Sequence, residues 1–468
     1  MTDEFDDQST FFLNFLASSQ ANVSSKIELA DLRHRGAGRG VVAKEDIPEG
    51  EILFSVPRAA VLSASNSSLS TKLPQVLTEL DPWLSLILTM LYEYLRGNAS
   101  PWKPYFDILP KTFDTLMFWA DEELAELQAS AVVQKIGKES ANEMFTETVI
   151  PLVRQYANVF FPDGSMSFPS DEQLLEMAHC MGSIIMAYAF DIEPESAQKE
   201  ADEEGYISED EDEALPKGMV PMADMLNADA DRNNARLHYG AEHLTMESIT
   251  DIKKGDEIFN DYGALPRADL LRRYGYVTPN YAQYDVVEIP TDLLVSTVKA
   301  DSKLSQDEID EKLAYLEEQD LLESGYDITR AAAAATDFEE DPLTAAVSSE
   351  LVLLVATLLL PSSEFARMSK KSKFPRPDIT PRIASILAST VATRASQYAT
   401  TLEQDRVIAA HGSFQGRHAM ALAVRMGEKE ILEEVAGLLA KKIQVNGGKR
   451  EGDDERENGG PSKKRRVA

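Results

Sequence analysis

The chain has 468 residues, a hydrophobic fraction of 43% and a formal net charge of −33 at pH 7. This is enough apolar sequence to bury a core and to form two domains with tails. The acidic excess argues against binding nucleic acid through the protein body and suits a basic partner, although ordinary solubility accounts for it equally well. A single cysteine, Cys180, excludes an internal disulfide and a cysteine-built zinc cluster, and points to a reducing compartment. The start MTDEFDDQST lacks the basic stretch of a secretion signal. The longest apolar run, Leu351 to Leu360, is about half of a membrane span, so no membrane association is expected.

Apolar spacing predicts a first helix from Ser9 to Leu16, with Phe11, Phe12, Phe15 and Leu16 on one face. Gly36, Gly38 and Gly40 follow, where backbone can approach a ligand closely because no Cβ intervenes. A strand comes after them where a dinucleotide fingerprint requires a helix, and no GxxxxGK[ST] element is present to form a P-loop. By itself such a segment is most simply a turn. Val41 and Val42, a turn at Pro48 to Gly50, and the return from Ile52 to Val56 read as a hairpin. From Trp83 to Phe190 the pattern is helical, first through Leu84, Ile87, Leu88 and Leu91 and last from Leu174 to Phe190. His179 on that last helix reads as a core residue, and the six histidines do not cluster with zinc-site spacing. Between Asp191 and Glu213 stand twelve acidic residues and one lysine, a third of the net charge, in a stretch too poor in apolar residues to fold alone.

Strand signals resume at Gly218 and persist to Ile289. In MADMLNAD, Asp224, Asn227 and Asp229 offer oxygens, but a hard cation needs more of them, and Asx-rich turn chemistry is the simpler reading. Tyr262 comes off the end of the strand DEIFNDY, and Tyr274 closes the short helix in PRADLLRRYGY. Two phenols delivered this way can border one aromatic slot, although core or surface packing is the commoner fate of a tyrosine. Beyond Pro290 the chain is helical again. Ser305 and Glu308 form a capping box ahead of Ile309, Leu313 and Leu316, and Thr380-Pro381 is a helix start. A final helix is expected from Lys429 to Lys442, with Ile431, Leu432, Val435, Leu438 and Leu439 on its apolar side.

Five segments carry a family resemblance. In order they are HRGAGRGVVAKEDIPEGEILFSVP, SPWKPYFDILP, VPMADMLNADADRNNARLHY, GDEIFNDYGALPRADLLRRYGYV and GRHAMALAVRMGEKEIL. The chain resembles the SET-domain protein-lysine methyltransferases of the Rubisco-large-subunit-methyltransferase branch, and within it the ribosomal subgroup. Coverage is nearly complete. The resemblance implies an α+β fold with a β-rich, knotted SET core over residues 1–289, a helical insertion at about 80–190 and an acidic loop at 191–217. An all-helical substrate-binding domain follows over 290–445, then a disordered basic tail over 446–468.

The family's cofactor is S-adenosylmethionine, and no metal is implied. Ala37, Gly38 and Arg39 match the segment that lies along the cofactor. Asn227 matches the asparagine of an Asn-His pair that holds it, with Ala228 in the place of the histidine. Because that histidine contributes through its main chain, the resemblance implies retained activity with weaker packing. Tyr262 matches the catalytic tyrosine, which also borders the cofactor, and Tyr274 the second tyrosine of the lysine channel. Asp224, Tyr239 and Tyr188 fall at positions near the target lysine. The cysteine-rich zinc element that follows the second tyrosine in many histone enzymes is missing.

The implied activity is lysine N-methylation of a basic protein, foremost a large-subunit ribosomal protein. Alternatives are another nuclear protein, histone or non-histone, and a SET-fold binding module without turnover, for which Ala228 is the best support. No direct nucleic-acid contact is expected. The tail PSKKRRVA holds Lys463, Lys464, Arg465 and Arg466, which read as a nuclear import signal for an import receptor. The expected location is therefore the nucleus, with the cytoplasm also open. A solvated basic tail is the simpler alternative.

Overall fold

The structure, a computed structural model, describes residues 4–35, 37–162, 168–192, 215–331, 341–412 and 415–453. Most of the acidic run and the Lys463 to Arg466 cluster lie outside the described residues, as does Gly36. The chain divides into two units. The first comprises Met1–Phe118, Ile136–Ala264 and Leu270–Tyr276; the second comprises Trp119–Lys135, Leu265–Asp269 and Val277–Ala468.

In the first unit, helix α1 (Glu4–Ser18) buries Phe12, Phe15 and Leu16. Phe11, expected on the same face, is 63% exposed because it stands about 100° of helical rotation from Phe12. The strands are short: β1 (Asn22–Val23), β2 (Ile27–Asp31), β3 (Arg39–Ala43), β4 (Ile52–Pro57), β5 (Leu62–Ser63), β6 (Ala189–Asp191) and β7 (Lys217–Met219). After them come β8 (Asn227–Ala228), β9 (Ala235–Tyr239), β10 (His243–Ser248) and β11 (Phe259–Asn260). They divide among small sheets, the largest ordered β1-β4-β10-β9.

The hairpin expected between β3 and β4 does not form. β3 pairs antiparallel with β2, Asp31 opposite Arg39, while β4 pairs with β1 and with β10 from two hundred residues later in the chain. The closer reversal lies at residues 32–38, where Leu32 N donates to Gly38 O at 2.7 Å and Ala37 N to Leu32 O at 3.2 Å. The connection after β3 takes a distant partner too, through the bridge of Ile47 to Ile252. One parallel pair matters for function: β8 lies beside β11, with Phe259 opposite Asn227 and Asn260 opposite Ala228.

Among the helices that pack into this core are α2 (Pro82–Leu95), α3 (Lys103–Ile108) and α4 (Asp171–Tyr188). Asp81 caps α2 by accepting from Leu84 N, and proline occupies its first turn. Every residue of α2 from Leu84 to Glu93 is buried, and the buried Glu93 accepts from Ser67, Ser100 and Arg96. A capping box of Ser170 and Gln173 starts α4. Helix α5 (Arg267–Tyr274) follows β11.

The second unit is not all-helical as expected: β12 (Val286–Pro290) pairs with β13 (Gly325–Thr329), and its other described elements are helices. Its core joins Leu316 of α6 (Gln306–Glu318), Val355 of α7 (Ser349–Leu359) and Leu387 of α8 (Pro381–Ser396). The Ser305–Glu308 capping box and the Thr380 cap form as the sequence predicts. After α9 (Leu402–His411), one helix, α10, runs Arg417–Asp453. It begins well before the expected Lys429 because the buried Ala421, Leu422 and Val424 carry the apolar stripe back a further turn and more. Among the described residues no helix is long and apolar enough to cross a membrane.

Candidate active site

The segment Ala37–Arg39 enters β3 with Gly38 at φ +66°, a left-handed backbone that favours glycine. A Cβ on Gly38 would meet nothing within 4 Å, so this side of the backbone is open, while the Gly38 carbonyl is taken by Leu32 N. The Arg39 side chain turns away to α1 and α3. Its guanidinium lies 4.0 Å over the Phe5 ring and donates to Phe5 O, Ser9 Oγ and Ile108 O at 3.3–3.5 Å. Cation–π attraction and three hydrogen bonds thus pin the outer end of the segment.

Its inner end meets Asn227. The Asn227 Nδ2 donates to Glu257 Oε1 at 2.7 Å and lies 3.5 Å from Arg39 O. Gly40 makes this approach possible: a Cβ there would sit 2.5 Å from Leu32 Cδ1 and 2.9 Å from Asn227 Nδ2. Ala228 is placed by its pairing with Asn260. Asp229 forms the turn expected of Asx chemistry, its Oδ1 accepting from Asp231 N and Arg232 N. Among the described residues no group of three or more His, Cys, Asp or Glu side chains is placed to hold a metal ion.

The tyrosines gather beside this clasp. Tyr262, just past β11, stacks on Tyr274, the last residue of α5, with ring centroids 4.4 Å apart and planes 9° from parallel. Tyr276 tilts against Tyr274 at 6.3 Å. Gly275, at φ +76°, lets the chain turn between these two rings; a Cβ there would lie 2.8 Å from Thr115 N. The Tyr262 hydroxyl donates a long hydrogen bond, 3.4 Å, to Leu226 O. Burial, and then the nearby Tyr274, Tyr188, Tyr276 and Asp224, hold its phenol well above the ordinary value. The Tyr188 phenol at the end of α4 is pushed up to about 12 by burial and by Asp224.

Asp224 is 5% exposed, in the tight turn before β8. Burial raises its carboxyl to about 7, against the pull of a hydrogen bond from Tyr105 of α3 to Oδ2. Tyr188, Asp224, Tyr262 and Tyr274 are therefore neighbours. Tyr239 ends β9 opposite Leu244 and packs on the core. Three participants escape a reading of the sequence: Tyr105, Tyr276 and Glu257. All three lie inside the segments of the family resemblance, Tyr105 in SPWKPYFDILP and Glu257 and Tyr276 in GDEIFNDYGALPRADLLRRYGYV, but nothing in those segments singles them out.

The residues fit S-adenosylmethionine. An exposed backbone at Gly38, beside an Arg39 held through both its side chain and its carbonyl, suits an extended ligand, and phenol faces with a carboxyl suit a sulfonium cation.

A SET-domain family model matches residues 38–263, and a model for the Rubisco LSMT substrate-binding region matches residues 303–432. The chain is 37% identical over 307 residues to ribosomal lysine N-methyltransferase 4 of Saccharomyces cerevisiae, a match covering 64% of this chain and 61% of that one. It is 30% identical over 429 residues to the N-lysine methyltransferase SETD6 of Mus musculus, covering 86% of this chain and 84% of that one. The Homo sapiens SETD6 is 31% identical over 430 residues with the same coverage. The crystal structure of the SET domain of LSMT bound to lysine and AdoHcy superposes with a TM-score of 0.66 at 22% identity, covering 98% of both chains. These matches run through the chain in the order of its motifs, and the chain belongs to the SET-domain family of S-adenosylmethionine-dependent protein-lysine methyltransferases, in the branch with a Rubisco-LSMT-type substrate-binding region.

Proposed function

We propose that the protein methylates a lysine of a large-subunit ribosomal protein, and does so in the nucleus. The observation that carries the substrate is the 37% identity to a yeast relative named for ribosomal lysine methylation. The net charge of −33 suits a strongly basic partner. In this reading residues 1–289 perform the transfer, residues 290–445 bind the substrate protein, and Lys463 to Arg466 engage an import receptor.

A free lysine has a pKa of about 10.4, so reaching the neutral amine at pH 7 costs about 4–5 kcal/mol. A water-poor aromatic site lowers that cost by disfavouring the ammonium. S-adenosylmethionine supplies an electrophilic methyl on a sulfonium. The backbone of Ala37, Gly38 and Arg39, with Asn227 and Ala228, holds that cofactor. Tyr262 orients the amine, and Tyr274 limits the room for product methyls. Tyr188, Asp224 and Tyr239 border the lysine end. Positioning supplies much of the remaining rate, because a held pair reacts as one body.

The test incubates purified protein with radiolabelled S-adenosylmethionine and fractionated large-subunit ribosomal proteins, with core histones in parallel. Label on one small basic ribosomal protein, lost in Tyr262→Phe, is the expected result. Label on histones alone overturns the ribosomal assignment. Deleting Lys463 to Arg466 should abolish nuclear accumulation; an unchanged distribution removes the import reading. The alternative substrate is another nuclear protein; the mouse SETD6 match, which spans 86% of this chain against 64% for the yeast relative, is to an N-lysine methyltransferase whose name specifies no ribosomal target.

A further inference from the structure

Asp224 is a buried carboxyl of which only one oxygen accepts a side-chain hydrogen bond. Oδ2 accepts the Tyr105 hydroxyl, Oδ1 has no partner in hydrogen-bond geometry, and the backbone N–H groups of Met222 and Asp224 lie close enough to the carboxyl to favour its ionised form. Burying such a group is costly, and packing alone supplies no reason for it. Its neighbours do. Two residues on, Leu226 O is the acceptor of the Tyr262 hydroxyl at 3.4 Å.

Between them runs the turn Ala223–Met225, entered through Met222 at φ +84°. A left-handed methionine is strained and persists only where the surroundings hold it. No side chain caps this turn locally. The constraint comes from Tyr105, which is 119 residues away in the chain and fully buried. Tyr105 is fixed in turn by Phe12 of α1, whose ring stacks on it at 6.1 Å. The path is continuous: Phe12 to Tyr105, to Asp224, through the turn to Leu226, and then to Tyr262.

We propose that Tyr105 and Asp224 are positioning residues whose hydrogen bond sets the 222–226 turn and so places the Tyr262 hydroxyl. The inference rests on the reading of Tyr262 as the residue that orients the amine. The titratable groups facing Asp224 are phenols: Tyr105 on α3, Tyr188 on α4 and Tyr262 after β11. An ionised carboxyl accepts the Tyr105 hydroxyl more strongly than a protonated one. Because burial brings Asp224 up to about 7, the lock tightens as pH rises through neutrality. Removing the Tyr105 hydroxyl takes away a bond that favours ionisation, so the transition moves to higher pH.

Full-length protein carrying 3-fluorotyrosine, free of substrate and cofactor, tests this by fluorine NMR. The Tyr262 signal is assigned by its loss in Tyr262→Phe. It should shift with a midpoint near neutral pH in the wild type, shift at higher pH in Tyr105→Phe, and lose the transition in Asp224→Asn. Both variants should also lower kcat on the ribosomal protein fraction by about ten-fold or more, with KM and the Kd for S-adenosylmethionine little changed. A Tyr262 signal that titrates alike in wild type and both folded variants overturns the proposal, as does wild-type kcat in both. If Tyr262→Phe itself keeps full turnover while the titration behaves as expected, the coupling stands and the role given to Tyr262 falls.

Discussion

Tyr262 and Tyr274 touch face to face, 4.4 Å between ring centroids. Rings that close leave no gap for a methylene chain, so the pair forms one wall. Under the proposed role of Tyr262, an arriving amine would meet the edge of this wall, not the space between the two rings. Stacking of this kind contributes about 0.5–1.5 kcal/mol beyond the buried area.

Tyr262→Phe keeps the stack and removes only the hydroxyl. Turnover should fall about a hundred-fold, the usual effect of deleting one oriented polar group at a reacting centre. The Kd for S-adenosylmethionine should stay within about two-fold, since the ring and its packing remain. Single-turnover rates and calorimetry separate the two effects. Undiminished turnover removes Tyr262 from the chemistry.

Gly275 and Gly38 make a matched pair for stability. Both have positive φ, +76° and +66°, so alanine at either costs about 1–2 kcal/mol of backbone strain. Only Gly275 is also closed in, with Thr115 N and the Asp114 carbonyl carbon 2.8 and 2.9 Å from a new Cβ. Gly275→Ala should therefore lower the thermal midpoint clearly more than Gly38→Ala. Equal shifts would mean that the loop at Asp114–Thr115 yields without cost.

The Asp224 carboxyl ionises near 7 in the folded protein and near 3.8 in the unfolded chain. Between those values the folded state keeps a proton that the unfolded state has lost. Its stabilising share is complete below the lower value and disappears as pH rises through the upper one. Asp224→Asn abolishes the dependence. Measured by denaturant titration, the variant should gain about 2–3 kcal/mol on the wild type between pH 5 and pH 8. A constant difference across that range rules out a raised Asp224. Glu428 in the second unit, also raised to about 7 by burial, should show the same sign in Glu428→Gln.

Asp405 is fully buried and bonds Lys429 Nζ at 2.5 Å, Thr400 Oγ1 at 2.8 Å and the Arg425 guanidinium at 3.1 Å. Asp405→Ala leaves two cations inside the second unit with their shared partner gone. A loss of about 3–5 kcal/mol is expected, and urea unfolding reads it. A change under about 1 kcal/mol would show that Glu126, which also accepts from Arg425, suffices.

Element types were legible in the sequence because periodicity and caps are local properties. Ser305–Glu308 and Thr380 fix their helix starts within three or four residues of chain. Partners are another matter. The alternation of Ile52 to Val56 marks a strand, but nothing in it distinguishes β3 from β10 as its neighbour. The same limit explains Tyr105: a helix of six residues cannot announce that its phenol reaches an aspartate 119 positions later. The nearness of Tyr262 and Tyr274 was easier, since only twelve residues and one short helix separate them. Phe11 shows a finer limit, because clustered apolar residues in a helix do not all fall within the buried arc.

The clasp of Asn227 on Arg39 and Glu257 spans 188 positions in one direction and 30 in the other. A ribosome adding about 5–20 residues each second therefore leaves Ala37–Arg39 waiting for roughly ten seconds or longer before its partners emerge. Until then β2 and β3 have only each other, and β3 lacks the bridge from Val42 to Glu257. The clasp can therefore close only after Glu257 has left the ribosome, so the segment Ala37–Arg39 is made early and completed late.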